Sequence, residues 1–219
     1  FRYKLDLSNQ ESVSEIYEKA KEEGIFDEAE RIREEVFDKD MQLYGVLYIW
    51  DLCENQCNFC PGSMDVRDED SELRMLTQDQ TVEETKHLLD IGFKEICFLT
   101  GEYPDIDQYP DRLKPYLEKL DDLKEDYEII LNIPPQTKTG FEKLREAVKE
   151  HDLQFRVFQE TYDREQYTES IPCGRKADYD FRRKSQERAL EAGFDSVGLG
   201  ALFGLHRYPI EEIDKLEKH

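Results

Sequence analysis

The sequence predicts an α/β fold, a parallel sheet built from repeated βα units. Two observations predict it. From Leu43 onward, short apolar runs of strand length alternate with stretches of helix length. Between them, Gly92, Gly193 and the His151–Asp152 pair stand where a helix should stop before the next strand. Such units, joined by right-handed crossovers, give a parallel sheet that is either open and doubly wound or curled into a barrel.

Taken in order, residues 10–40 read as helix in two amphipathic runs, ESVSEIYEKAKEEG and FDEAERIREEVFDKD, broken at Gly24. Residues 1–42 are therefore expected to form an N-terminal helical extension. Strands are expected at 43–50, 95–100, 127–133, 155–160 and 196–203, and helices at 78–90, 111–124, 139–150 and 180–192, with a last helix beginning near Ile210. Five βα units fall short of the eight of a full barrel. Residues 43–219 are thus expected to form a partial barrel that stops before a sixth strand. A first residue of Phe rather than Met points the same way, to a trimmed chain or fragment. No internal repeat and no low-complexity linker is evident.

Acidic residues number 52 against 30 basic ones, a net charge of -22. Such a surface repels nucleic-acid phosphates and anionic lipid, so no nucleic-acid or membrane partner is expected. No stretch approaches the roughly 18 apolar residues of a spanning helix; the best candidate, Leu43 to Leu52, contains Gly45 and Asp51. The N-terminus lacks the apolar core of a secretory signal, and a cytoplasmic location is expected.

The chain has five cysteines, three of them in the segment Cys53-Glu-Asn-Gln-Cys57-Asn-Phe-Cys60, directly after the first expected strand. Three thiolates this close can converge on one inorganic core. An iron–sulfur cubane usually takes four cysteines, so three would leave one iron open and reactive. A structural zinc site would want a fourth ligand, and the four histidines show no matching spacing. A thioredoxin-like pair would leave Cys53 without a role. Coincidental thiols are the remaining alternative. Position favours a site, because functional groups of parallel βα folds gather at strand C-terminal ends.

This C-x3-C-x2-C spacing, with the aromatic Phe59 before the last cysteine, resembles the radical SAM superfamily. The resemblance implies a partial (βα) TIM-type barrel and a 4Fe–4S cluster on Cys53, Cys57 and Cys60. The open iron of that cluster would chelate S-adenosylmethionine (SAM), and reduction by a donor such as ferredoxin or flavodoxin would cleave SAM into a radical. Two further segments, FQETYDREQYTESIPCGRKADYDFR (158–182) and ALEAGFDSVGLGALFGL (189–205), resemble the aromatic-amino-acid lyase branch. That branch includes the tyrosine lyase of hydrogenase maturation and 2-iminoacetate synthase of thiamine biosynthesis. The likeness spans roughly residues 40 to 208.

Carried over position by position, the resemblance implies that Glu102, after Thr100-Gly101, holds the amino group of SAM, a task suited to a carboxylate. It implies that Arg182 grips the SAM carboxylate, that Asn132 and Glu160 contact ribose or methionine, and that Phe59 lies against the adenine. Gly198, Gly200 and Ala201 would let the adenine approach the backbone. Cys97 reads as a core thiol and Cys173 as an adventitious exposed one. Tyr48, Tyr162, Tyr167 and Tyr179 cannot be sorted into substrate and framework residues. Trp50-Asp51 and Ile171 depart from the lyase pattern of Ser-Asn and His, at places expected near the substrate cavity.

The expected function is therefore radical-initiated Cα–Cβ cleavage of an aromatic amino acid, tyrosine foremost, to dehydroglycine and p-cresol. A biotin-synthase-like sulfur insertion and a non-catalytic iron–sulfur electron carrier are the alternatives, the latter disfavoured by the Glu102 and Arg182 matches. The chain also stops short of the cysteine-containing C-terminal domain of the hydrogenase-maturation enzyme, so the later cyanide and CO steps are not expected of it.

Overall fold

The order of the strands decides between an open sheet and a curling one. The computed structural model describes residues 13–38, 43–64, 75–103, 105–206 and 209–219. In it β1 (Tyr44–Trp50), β2 (Glu95–Thr100), β3 (Glu128–Asn132), β4 (Leu153–Arg156) and β5 (Ser196–Gly198) lie side by side in chain order. Each pairs in parallel with the next. A doubly wound sheet reverses its strand order at a switch point. Here every crossover advances in one direction, as in a barrel. The fold is a partial (βα) barrel.

The helices that cover the outer face start where local chemistry starts them. At α3 (Gln78–Asp90), Thr77 and Gln80 form a reciprocal capping box. At α4 (Tyr109–Asp121), Pro110 occupies the first turn, where its missing N–H costs nothing. At α5 (Lys138–Glu146), Thr137 accepts from the amide of Gly140. Sheet residues Ile96, Phe98, Ile129, Leu131, Leu153 and Phe155 are fully buried against Leu113, Leu117, Leu120, Phe141 and Leu144 of the helices. At about 1.5–3 kcal/mol per buried side chain, this layer fixes the strand register. It thereby brings the ends of β1, β2 and β3 level at Trp50, Thr100 and Asn132.

N-terminal to the barrel, α1 (Val13–Glu22) and α2 (Ile25–Phe37) break at Gly24, whose φ of 69° suits glycine. Residues 10–12 and 39–40 of the helix expected there lie outside the described residues. Four expectations shift for tertiary reasons. β4 runs from Leu153 to Arg156 rather than 155–160, because the chain beyond it turns outward to form a cavity wall. β5 likewise ends at Gly198, and only the isolated bridge between Glu160 and Ala201 continues the pairing. α5 stops at Glu146 rather than 150, because the Asp121 carboxylate draws the amides of Lys149 and Glu150 out of the helix. The helix expected at 180–192 is two, α7 (Tyr179–Arg183) and α8 (Ser185–Glu191), divided at Lys184. A further helix, α6 (Arg164–Ser170), carries little apolar periodicity, although its cap Asp163, accepting from Gln166, was a readable signal. The last helix, α9, spans Pro209–Glu217.

The inner face below the strand ends is polar. Gln154 donates to Glu128 at 3.3 Å and to Ser196 at 3.0 Å, while Arg156 donates to Gln154 and stacks over Tyr44. Burial, and then the carboxylates of Glu95 and Asp152, raise Glu128 above the ordinary glutamate range. A carboxyl group whose pKa is raised in the folded state stabilises the fold only while protonated, and that contribution is lost as pH rises through its folded value. Glu128→Gln removes the charge and keeps the hydrogen-bonding shape. Its melting temperature should exceed that of the parent at pH 7, with the gap closing as pH falls through the raised folded value and gone by about 4. A gap that is absent at pH 7 would show that Glu128 is not penalised.

Candidate functional site

The C-terminal strand ends and the loops after them enclose a cavity of about 500 Å³. The loop after β1 supplies Asp51, Cys53, Asn55, Cys57, Phe59 and Cys60, and β2 supplies Thr100, Gly101 and Glu102. β3 supplies Asn132, and the segments after β4 supply Phe158, Glu160, Lys176 and Arg182. The approach of the first two walls requires glycine at 101. A Cβ there would sit 2.1 Å from the Leu52 carbonyl oxygen, so no larger residue fits without backbone movement. The indole of Trp50 donates to the Gly101 carbonyl at 3.0 Å and fixes the same junction.

Within the cysteine loop all three thiols are free of disulfides. The backbone turns tightly, with Cys60 N–H donating to Cys57 O at 3.0 Å and Ser63 accepting from Cys57 N–H at 3.0 Å. Cys57 is buried against Tyr167 and Ile171. Burial pushes its thiol up to about 11, while the positive charges of Lys176 and Arg182 pull the other way. The Asn55 amide lies 3.5 Å from the Cys53 sulfur and also donates to Glu102. Its carbonyl oxygen accepts from the Lys176 amide at 3.0 Å. That contact is possible because residue 174 is glycine: its φ is +91°, and a Cβ would lie 2.2 Å from the Asn55 oxygen.

Two buried carboxylates face the cavity, each met by cations. Glu102 pairs with Arg175 at 3.3 Å. Glu160 pairs with Lys176 at 2.6 Å and Arg182 at 3.5 Å. Glu160 adopts a φ of +72°, a strained conformation for a side chain of its size. The strain is held by its neighbours: Leu202 N–H donates to the Glu160 carbonyl at 2.7 Å, and both cations grip its carboxylate. Arg182 is itself pinned, donating from Nε to the Phe158 carbonyl at 2.8 Å. The Lys176 ammonium also lies 5.2 Å from the centre of the Phe59 ring.

Of the residues singled out in the sequence, Cys53, Cys57, Phe59, Cys60, Gly101, Glu102, Asn132, Glu160 and Arg182 come together on this one cavity. Gly200 and Ala201 do not line it. Gly200 packs under Phe158, where a Cβ would meet the ring at 2.3 Å, and Ala201 bridges to Glu160, so both support the wall from behind. Gly198 packs on Arg156. Sequence reasoning missed Asn55, Arg175 and Lys176, whose roles depend on contacts far along the chain. Two of the three departures lie away from the open cavity: Trp50 is buried against Tyr109 and Tyr116, and Ile171 beneath Cys57. Asp51 does line the cavity. The tyrosines also sort themselves. Tyr48 lines the cavity, whereas the Tyr167 hydroxyl donates to the Lys176 carbonyl and Tyr179 donates to the Tyr162 carbonyl at 3.1 Å. Cys97 is buried in the sheet and Cys173 is exposed.

The donor set fits an iron–sulfur group. Three thiols share one cavity, an amide N–H approaches one sulfur, and two cations stand near the buried thiol to offset thiolate charge. Among the described residues no three His, Cys, Asp or Glu side chains are arranged to hold a single metal ion.

The sequence profile of the radical SAM superfamily matches residues 47–219. A 2-iminoacetate synthase from Escherichia coli (strain K12) is 27% identical over 186 residues, which are 84% of this chain and 46% of that protein. The chain thus spans about half the length of the curated relatives it matches. The X-ray structure of the FeFe-hydrogenase maturase HydG from Carboxydothermus hydrogenoformans superimposes with a TM-score of 0.78 at 30% identity, over 87% of this chain and 43% of that one. Methylornithine synthase (PylB) superimposes with a TM-score of 0.74 at 23% identity, over 97% of this chain and 58% of that one, a likeness of fold alone. Among the described residues no helix is long and apolar enough to cross a membrane.

The junction at residue 101 can be tested by adding a single methyl group. Gly101→Ala should lower unfolding free energy by about 1–3 kcal/mol through overpacking against the Leu52 carbonyl, measured by chemical denaturation. A variant as stable as the parent would show that the β1 and β2 ends are not held this close.

Proposed function

The chain belongs to the radical SAM superfamily, and on that premise we propose that it cleaves SAM reductively at a 4Fe–4S cluster to start radical lyase chemistry on tyrosine. One observation carries the reading: three thiols, two carboxylates and two cations from separate loops meet on one cavity at the strand C-terminal ends. When bound, the cluster and SAM would supply one-electron reductive chemistry that initiates a radical reaction.

The residues of the chain do the binding and the shielding. Cys53, Cys57 and Cys60 would hold the cluster through their thiolates. Glu102, buried and already oriented by Asn55, receives the ammonium of the methionine moiety. Arg182 and Lys176 offer positive charge to its carboxylate, and Glu160 keeps both cations at the cavity wall. Phe59 presents an aromatic face toward the adenine, and Asn132 contributes a hydrogen-bonding amide at the end of β3. Gly200 and Ala201 act indirectly, by setting how far Phe158 and Glu160 project.

Tyrosine is favoured over other amino acids by the relatives of the 158–182 and 189–205 segments, among which Cα–Cβ cleavage gives p-cresol and dehydroglycine. A small electron-transfer protein such as ferredoxin or flavodoxin would supply the electron, and the free thiols suit a reducing, cytoplasmic setting.

The test is anaerobic. The chain, reconstituted with iron and sulfide and reduced with dithionite, should form 5′-deoxyadenosine from SAM, with tyrosine stimulating turnover and p-cresol appearing by mass spectrometry. Replacing any one of Cys53, Cys57 or Cys60 with Ala should abolish both. Stimulation by tryptophan or a non-amino-acid compound, with none by tyrosine, would refute the substrate and leave the superfamily chemistry. Product formation in a cysteine variant would refute the three-thiol site.

A further inference from the structure

The loop that crosses the cysteine segment carries two adjacent cations, and the two have different access to water. Lys176 and Arg182, on Glu160, are 15% and 8% exposed in their side chains. Arg175, on Glu102, is 29% exposed. It extends from a one-turn 3-10 helix (Arg175–Ala177) and is not among the residues that line the cavity. Glu102 is 7% exposed, and its two oxygens are approached separately. Asn55 donates to Oε2, and Arg175 Nε faces Oε1 at 3.3 Å.

This arrangement gives the carboxylate more positive charge than its orientation requires. The Asn55 amide already fixes one oxygen, and the close approach at Gly101 fixes the backbone. Asn55 is in turn held by the Lys176 amide and by the fit of Gly174 against it, neither of which involves the Arg175 side chain. The guanidinium is therefore unnecessary for pointing Glu102 into the cavity. Its effect is electrostatic: it partly neutralises the carboxylate and repels a second cation on the cavity side.

We propose that Arg175 is an internal counter-cation that competes with the α-amino group of the bound ligand for Glu102, and so holds down the affinity for ligands bearing that group. The proposal rests on the reading of Glu102 as the seat of the SAM ammonium. Arg175 is then a positioning residue that sets how readily the amino-acid end of the ligand docks and leaves. Its side chain is more exposed than those of Lys176 and Arg182, although one guanidinium nitrogen, Nη1, is buried, so of the three cations it is the one best placed to give way as the ligand ammonium arrives.

Equilibrium binding to the cluster-reconstituted full chain, by anaerobic calorimetry, tests this with three probes. SAM and S-adenosylhomocysteine carry the α-amino group; 5′-methylthioadenosine lacks it. Arg175→Gln should bind the first two about three- to fivefold more tightly, the effect of removing one partly exposed cation from a modest ion pair, and should leave methylthioadenosine unchanged. Arg175→Lys, which keeps the charge, should stay near the parent. Unchanged or weaker SAM binding in R175Q, or equal tightening for methylthioadenosine, would overturn the proposal. Glu102→Gln separates the role of Arg175 from that of Glu102. If it weakens SAM and S-adenosylhomocysteine while R175Q fails to tighten them, only the counter-cation role falls. If it binds SAM as the parent does, the assignment of Glu102 falls, and the role of Arg175 with it.

Discussion

The side chain of Asn55 is the point on which the cavity depends. One buried amide joins three segments that are distant in sequence: it approaches the sulfur of Cys53, donates to Glu102 after β2, and accepts from the Lys176 amide. Each of those groups belongs to a different wall. The tie works only because glycines at 101 and 174 allow backbone to come within contact distance on both sides. A buried amide that loses one partner pays the full cost of desolvation, typically about 1–3 kcal/mol, so the three walls hold one another in place. The fold prepares this by fixing strand register with its outer apolar layer, which delivers the loop starting points at one level.

Charge is arranged locally against the average. The chain carries a net -22, yet each of the buried cavity carboxylates Glu102 and Glu160 is matched by at least one cation. A ligand with both an ammonium and a carboxylate would meet groups of each sign. The positive φ of Glu160 belongs to the same design. The chain turns sharply there, carrying the carboxylate into reach of Lys176 and Arg182 rather than continuing as strand.

The parts of the site that could be read from the sequence were the parts encoded by short spacing. Cys53, Cys57 and Cys60 are a local motif, and Gly101, Glu102 and Asn132 sit at the ends of apolar runs whose length marks them as strands. Asn55, Arg175 and Lys176 were not legible, because their roles lie in contacts such as the bond from the Lys176 amide to Asn55, 121 residues away in the chain. Gly200 and Ala201 were expected against a ligand and instead brace the wall, since a run of small residues has the same appearance whether a ring of Phe158 or an adenine fills the space beside it. Strand ends were overestimated at β4 and β5 for a related reason. Apolar residues that line a cavity look like apolar residues that line a core.

In the proposed site, three thiols at the strand ends hold a four-iron core with one iron left open to the cavity. Mössbauer spectroscopy of the chain reconstituted with iron-57, recorded with and without SAM, measures this most directly. One of the four irons should become spectroscopically distinct when SAM is added, while the other three, held by Cys53, Cys57 and Cys60, keep their parameters. Four equivalent irons unaffected by SAM, or a stable centre of only two irons, would contradict it.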